Sequence, residues 1–149
     1  MGKIYTALGL MSGTSLDGVD VSIINSDGNK EFSLILDRYF EYDKELVQKI
    51  LKIRDKIVDP EGLKRHIDEI QDLEREITLF HGKAVKETLS MTKSSIDLIG
   101  FHGQTIFHDP EKKITKQLGD GKLLSQLTKK KVVYNFRQND LRNGGQGAP

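Results

Sequence analysis

Gly9-Leu10-Met11-Ser12-Gly13-Thr14-Ser15-Leu16-Asp17-Gly18-Val19-Asp20 lies between two apolar runs, and its reading decides how the chain begins. Residues 4–10 have the composition of a buried strand. Residues 19–24 alternate well enough to pair with them, so the polar link between the two is a hairpin connection. That link supports two readings. Gly, Ser and Asp are ordinary turn residues, and a hairpin needs nothing more. Alternatively, Gly13 and Gly18 permit positive φ, and backbone N–H groups together with the hydroxyls of Ser12, Thr14 and Ser15 form a concave nest for phosphate oxygens. Asp17 and Asp20 stand beside the same turn, where carboxylates can hold Mg²⁺ directly or through water. Neither GxxxxGK[ST] nor a GxGxxG opening a helix is present, so this is not the usual P-loop or a Rossmann turn.

Outward from this stretch, 26-SDGN-29 is a second turn, and residues 32–42 read as a third strand with Asp37 and Arg38 at an edge or bend. The first third is therefore an antiparallel three-strand meander. From Asp43, a suitable N-cap, Leu46, Val47, Ile50, Leu51 and Ile53 recur at helical spacing until Pro60. A longer helix is expected over residues 60–89, with Leu63, Ile67, Ile70, Leu73, Ile77, Phe80 and Ala84 on one face and charges on the other. His66 and His81 lack a partner at i,i+4 and read as surface or edge histidines rather than metal ligands.

Residues 98–101 form a short apolar run expected as a strand buried on both faces and paired parallel after the long helix. His102, Gln104, Thr105 and His108 follow it, at the carboxyl end where open α/β sheets gather ligands. These groups suit hydrogen bonding to a polyhydroxylated ligand; the alternative is satisfaction by loop carbonyls. Residues 114–118 alternate as a strand. Leu123, Leu124 and Leu127 mark a short helix, the lysines 129–131 complement its C-terminal dipole, and residues 132–136 form the next strand. Beyond it, Arg137 can fork onto a carboxylate or phosphate and Asp140 can accept from sugar hydroxyls, unless the glycine-rich end is a frayed tail.

Composition narrows the function. The 149 residues suffice for one domain with a core, and 36% hydrophobic with 30% charged residues is ordinary for a soluble protein. Twenty-three basic against 22 acidic residues leave a net charge of +1, which supplies no basic stripe for nucleic acid and no pull toward a membrane. There is no cysteine, hence no disulfide or thiolate site, and no signal-like or membrane-spanning run; cytoplasmic residence is the expectation.

Four strings occur together in order: GLMSGTSLDGVD at 9–20, GFHGQTIFH at 100–108, QLG at 117–119, and FRQND with GGQGAP between 136 and 149. In this the chain resembles the bacterial anhydro-N-acetylmuramic acid kinases, of the superfamily of sugar kinases, heat-shock ATPases and actin. The resemblance implies an α/β fold with an RNase H-like (actin-like ATPase) core. It implies ATP and Mg²⁺ as cofactors, with water cleaving the 1,6-anhydro ring and phosphate passing to the freed 6-hydroxyl. It makes Ser12, Gly13, Thr14, Ser15 and Asp17 the nucleotide-binding residues, Asp17 also the candidate for the metal. His102, Gln104, Thr105, Arg137 and Asp140 become the sugar-pocket lining. Met11 stands where many members of the wider superfamily carry an aspartate. The resemblance further implies that residues 1–149 are the N-terminal domain of a two-domain kinase. The adenosine site and the general-base aspartate would lie in a second domain absent from this chain, so no catalytic residue is assigned here and the chain alone is expected to be inactive. Apolar surface left by that domain favours self-association, including a homodimer. A non-enzymatic sugar-binding module is the alternative.

Overall fold

The computed structural model describes residues 2–147; Ala148 and Pro149, the end of the GGQGAP string, lie outside the described residues. The chain opens with strands β1 (Tyr5–Ser12), β2 (Gly18–Ser26) and β3 (Phe32–Glu41). Both strand pairs are antiparallel, with Met11 opposite Asp20 beside the first connection and Ser26 opposite Phe32 beside the second. The expected meander is thus present.

Helix α1 (Lys44–Lys56) follows with Asp43 as its N-cap, the carboxylate accepting from the Leu46 amide at 2.8 Å. The single long helix expected over residues 60–89 is two helices, α2 (Pro60–Arg65) and α3 (Ile67–Leu89). His66 ends one and begins the next at φ −110° and ψ 25°, outside helical geometry, and its Nδ1 lies 3.1 Å from Glu69 Oε1. The apolar period runs through the junction in sequence, but Ile67, at the start of α3, is exposed, and the helix joins the core only from Ile70.

Strand β4 (Leu98–Asp109) lies parallel to β1, as a strand–helix–strand crossover requires. It is far longer than the apolar run 98–101 suggested. On its other edge it is shared: β6 (Lys131–Tyr134) pairs with it in parallel from Leu98 to Phe101, and β5 (Ile114–Leu118) pairs antiparallel from Gln104 to Asp109. Between them α4 (Gly121–Thr128) is N-capped by Asp120 and ended by Lys129 in the left-handed conformation. The result is a six-stranded mixed sheet with order β3-β2-β1-β4 and two strands beyond, an α/β architecture.

The core lies between this sheet and α1 and α3. Leu8, Ile23, Ile50, Ile77, Ile99 and Phe101 are all fully or almost fully buried there, each contributing roughly 1.5–3 kcal/mol through removal from water. The last part of the chain corrects the sequence reading. β6 stops at Tyr134, and residues expected as strand end and polar tail form helix α5 (Phe136–Arg142), with Leu141 buried. Its entry through Asn135 at φ 61° reverses the chain so that Phe136 covers Gly100, on the face of β4 opposite to the one where Phe101 meets α3.

Candidate functional site

β1 and β4 run in register from Ala7↔Leu98 to Leu10↔Phe101, then slip, so that Ser12 pairs with Gln104. β4 therefore carries an extra residue at the end of β1, a bulge of the kind that re-aims side chains beside a site. Gly103 absorbs it with φ +78°, and a Cβ there would sit 2.3 Å from the Leu118 carbonyl oxygen, so no side chain fits.

Ser12 is buried beside this bulge. Its hydroxyl lies 3.2 Å from the Gly103 carbonyl and 3.2 Å from His81 Nε2. Gln104, also buried, reaches the next residue, its Nε2 donating to the Gly13 carbonyl at 3.0 Å. The same carbonyl accepts from the Leu16 amide at 3.3 Å, and the Thr14 carbonyl accepts from Arg54 Nη1 at 3.4 Å. At the far end the Tyr42 amide donates to the Asp17 carbonyl at 3.0 Å. Thus the carbonyls of Gly13, Thr14 and Asp17 are turned to protein donors. The amides of Gly13, Thr14 and Ser15 have no acceptor among the described residues. Successive free amides suit an anion. The positive φ in this turn belongs to Leu16 (62°), not to Gly13 or Gly18. Leu16 is held there by burial, while Gly18 is required by close approach, since a Cβ would meet Phe40 O at 2.2 Å.

His102 and Arg137 meet on the α5 side of β4. His102 Nδ1 lies 2.7 Å from the Gly103 carbonyl and therefore carries the proton, leaving Nε2 to accept from Arg137 Nε at 2.7 Å. Burial holds the imidazole below its ordinary pKa, the Gly103 carbonyl opposes this, and the Arg137 charge adds to it. A neutral imidazole orients a guanidinium whose two Nη groups have no partner among the described residues. That free fork suits planar oxyanion or hydroxyl recognition.

The remaining expected residues are placed differently. Thr105 is turned into a polar network in which Gln117 Nε2 donates to its hydroxyl at 3.2 Å and to Thr115 at 2.7 Å. Asp140 lies one turn after Arg137, but its carboxylate accepts from the Gly147 amide at 2.8 Å and shapes the glycine-rich turn. Asp17 and Asp20 are exposed and free of ion pairs among the described residues, and no three potential metal-ligating side chains cluster there.

A separate cleft of about 700 Å³ opens between β5, α4, β6 and α5, lined by Lys116, Asp120, Lys122 and Arg142 among others. It includes none of the residues of the 12–17 loop, nor His102 or Arg137.

The profile of the family described as "Anhydro-N-acetylmuramic acid kinase" matches residues 5–149. The chain belongs to this family. Relatives carrying that name include a Pelagibacter ubique protein 57% identical over the whole of this chain, an Agrobacterium fabrum protein 41% identical and a Rhizobium etli protein 38% identical. The chain spans about two fifths of the length of these kinases, 40% of the first and 41% of the others.

Two contributors escaped the sequence reading. Arg54 belongs to an otherwise ordinary helix, and nothing in its spacing marks it. His81, expected at the surface, is fully buried with its Nδ1 2.8 Å from the Ile77 carbonyl. Its signal was available: at i+4 from Ile77 and i−4 from Val85 it falls on the apolar stripe of α3.

Proposed function

We propose that this chain provides the phosphate-binding loop and part of the sugar-binding wall for ATP-dependent hydrolysis and phosphorylation of 1,6-anhydro-N-acetylmuramic acid. The observation that carries the reading is the loop at 13–15, whose Gly13 and Thr14 carbonyls are tied down and whose three amides have no acceptor among the described residues. Family membership supplies the reaction class. The second domain named by the resemblance would supply the adenosine site and the general base, and residues 1–149 would be the N-terminal half of the cleft.

In phosphoryl transfer the protein contributes chiefly positioning and charge stabilisation. The Gly13–Ser15 amides would receive phosphate oxygens of ATP. Arg137, oriented by His102, would hold the sugar through its free Nη groups, with Asp140 accepting from a hydroxyl by the oxygen not engaged by Gly147. The buried Gln104 and Thr105 serve the wall from behind, Gln104 through Gly13. Mg²⁺ fits the exposed, unpaired carboxylates Asp17 and Asp20, which would hold it through its water shell, and bound there it would neutralise phosphate charge. ATP supply places the reaction in the cytoplasm.

Isothermal calorimetry with Mg-ATP and with the anhydro-sugar tests the two halves of this reading. Binding of each ligand is expected, with Arg137→Ala abolishing the sugar heat and leaving the nucleotide heat. Heat from the sugar alone would favour the non-enzymatic binding module, and heat from neither would overturn the proposal.

A further inference from the structure

His81 is a fully buried imidazole at the centre of the core, its ring 5.0 Å from that of Phe101 and 6.5 Å from that of Tyr42. A hydrocarbon side chain would fill this space without the cost of burying two polar nitrogens. Both nitrogens are engaged, and the geometry assigns their roles. Nδ1 faces the Ile77 carbonyl, an obligate acceptor, so Nδ1 carries the proton and Nε2 is an acceptor. The group on Nε2 is the Ser12 hydroxyl, the last residue of β1 before the free amides begin.

We propose that His81 is a positioning residue for the Gly13–Ser15 loop: it holds the Ser12 hydroxyl inward so that the chain leaves β1 with its carbonyls facing protein and its amides facing out. The proposal rests on reading those amides as an anion receptor. Ser12 has one hydroxyl proton and two equidistant acceptors, His81 Nε2 and the Gly103 carbonyl, both at 3.2 Å. The one proton is shared or exchanged between these acceptors, so the hydroxyl sits between helix α3 and the β4 bulge at the strand end where the β1–β4 register slips. One residue on, Gln104 takes the Gly13 carbonyl from the same strand. Two consecutive residues are therefore anchored from the core side, at the point where the unpartnered amides begin. Burial reinforces the arrangement by keeping His81 unprotonated; a proton on Nε2 would replace the acceptor with a second donor.

Two buried side-chain atoms have no hydrogen-bond partner among the described residues, the Tyr42 hydroxyl and Gln104 Oε1. Burial pushes the Tyr42 phenol up to about 12, and the nearby Ser12 hydroxyl offsets part of that rise without the two meeting hydrogen-bond geometry. The Ser12 proton therefore has a third group close by.

The test uses isotope-labelled 149-residue protein and begins without ligand. Long-range proton–nitrogen spectra should show His81 as the Nδ1–H tautomer, and vicinal couplings should show Ser12 in one χ1 rotamer. His81→Phe should average that rotamer and shift the amides of Gly13, Thr14 and Ser15, while His81→Gln, whose amide oxygen can replace Nε2 as acceptor, should restore them. With Mg-ATP as probe, His81→Phe should weaken binding by about fivefold, as expected for loss of one coupled contact, and His81→Gln by less than about twofold. Unchanged Ser12 couplings and loop amides in His81→Phe would overturn the proposal. If that variant does not fold, Ser12→Ala decides: His81 Nε2 should shift while Nδ1 does not, and an unmoved Nε2 overturns it equally. A loop that moves in His81→Phe but does not respond to Mg-ATP in the wild type leaves the positioning role standing and removes the nucleotide reading instead.

Discussion

Two polar connections in the same meander have nearly the same composition and opposite chemistry. The β2–β3 turn, 26-SDGNKE-31, is closed on itself. Asp27 Oδ1 accepts from the amides of Asn29, Lys30 and Glu31 at 2.9–3.0 Å, and these bonds, Asn29 foremost, hold its carboxyl below the usual value. The β1–β2 loop, 13-GTSLD-17, has the carbonyls of Gly13, Thr14 and Asp17 satisfied and the amides of Gly13, Thr14 and Ser15 left over. One turn consumes its own donors and the other saves them. Glycine, serine and aspartate content cannot tell the two apart. The difference comes from what lies beneath: in the β1–β2 loop Gln104, Arg54 and the Tyr42 amide take carbonyls, whereas in the β2–β3 turn Asp27 takes the amides.

The comparison breaks most severely at Gly103. Gly103→Ala forces a Cβ to 2.3 Å from the Leu118 carbonyl at φ +78°; the expected loss is about 3 kcal/mol or more, a fall of roughly 10 °C in the melting temperature. Because this also dislodges the Ser12 acceptor, amide shifts should spread through residues 12–16 and spare residues 27–31.

Acid should distinguish the same two regions. Burial depresses the His81 pKa to about 4, from 6.5. Between those values the unfolded chain binds a proton that the folded one refuses, so stability should be full above pH 6.5 and fall as pH is lowered toward 4. His102, also held low, adds in the same direction. The His81 part is on the order of 3 kcal/mol at most, and urea melts across this range should show His81→Gln with a flatter pH dependence.

Gly13 and Gly28 give a reciprocal pair. Gly13 has no positive φ and its nearest neighbour to an added Cβ is Ser15 Oγ at 3.7 Å, so Gly13→Val should fold with a stability change within about 0.5 kcal/mol. A branched side chain beside the free amides should nonetheless lower Mg-ATP affinity by about tenfold or more. Gly28 sits at φ +74° with nothing within 4 Å. Gly28→Val should cost about 1–2 kcal/mol of stability through left-handed strain and leave nucleotide binding unchanged. Melting curves and calorimetry on both variants check the crossover. The smallest effect belongs to Asp27→Asn, which keeps an acceptor oxygen at this exposed turn: amide exchange at residues 29–31 should quicken slightly, with no change at residues 13–15.

Much of this was legible in the chain, for physical reasons that differ by element. The meander and the parallel β4 show because alternation and apolar runs are local signals of burial, and Asp43 shows because N-capping needs only one side chain and one amide three residues on. The split at His66 did not show, since the apolar stripe continues through it. α5 did not show because its seven residues bury only Leu141, and their polarity matches that of a tail. At the site, His102 and Arg137 were named together and do meet. Gln104 was placed in the pocket wall but is turned inward to Gly13, a contact across 91 residues that no local pattern encodes. The buried place of His81 departs from the surface or edge position expected of it, because the absence of an i,i+4 ligand argues against a metal but says nothing of burial.

The central claim is that the amides of residues 13–15, and not those of residues 29–31, receive phosphate. Titrating isotope-labelled protein with Mg-ATP while following every amide resonance tests it directly. The account predicts saturable shifts at Gly13, Thr14 and Ser15 with Asn29, Lys30 and Glu31 unmoved. Unmoved resonances at Gly13–Ser15 under saturating Mg-ATP, or equal shifts in both turns, would contradict it.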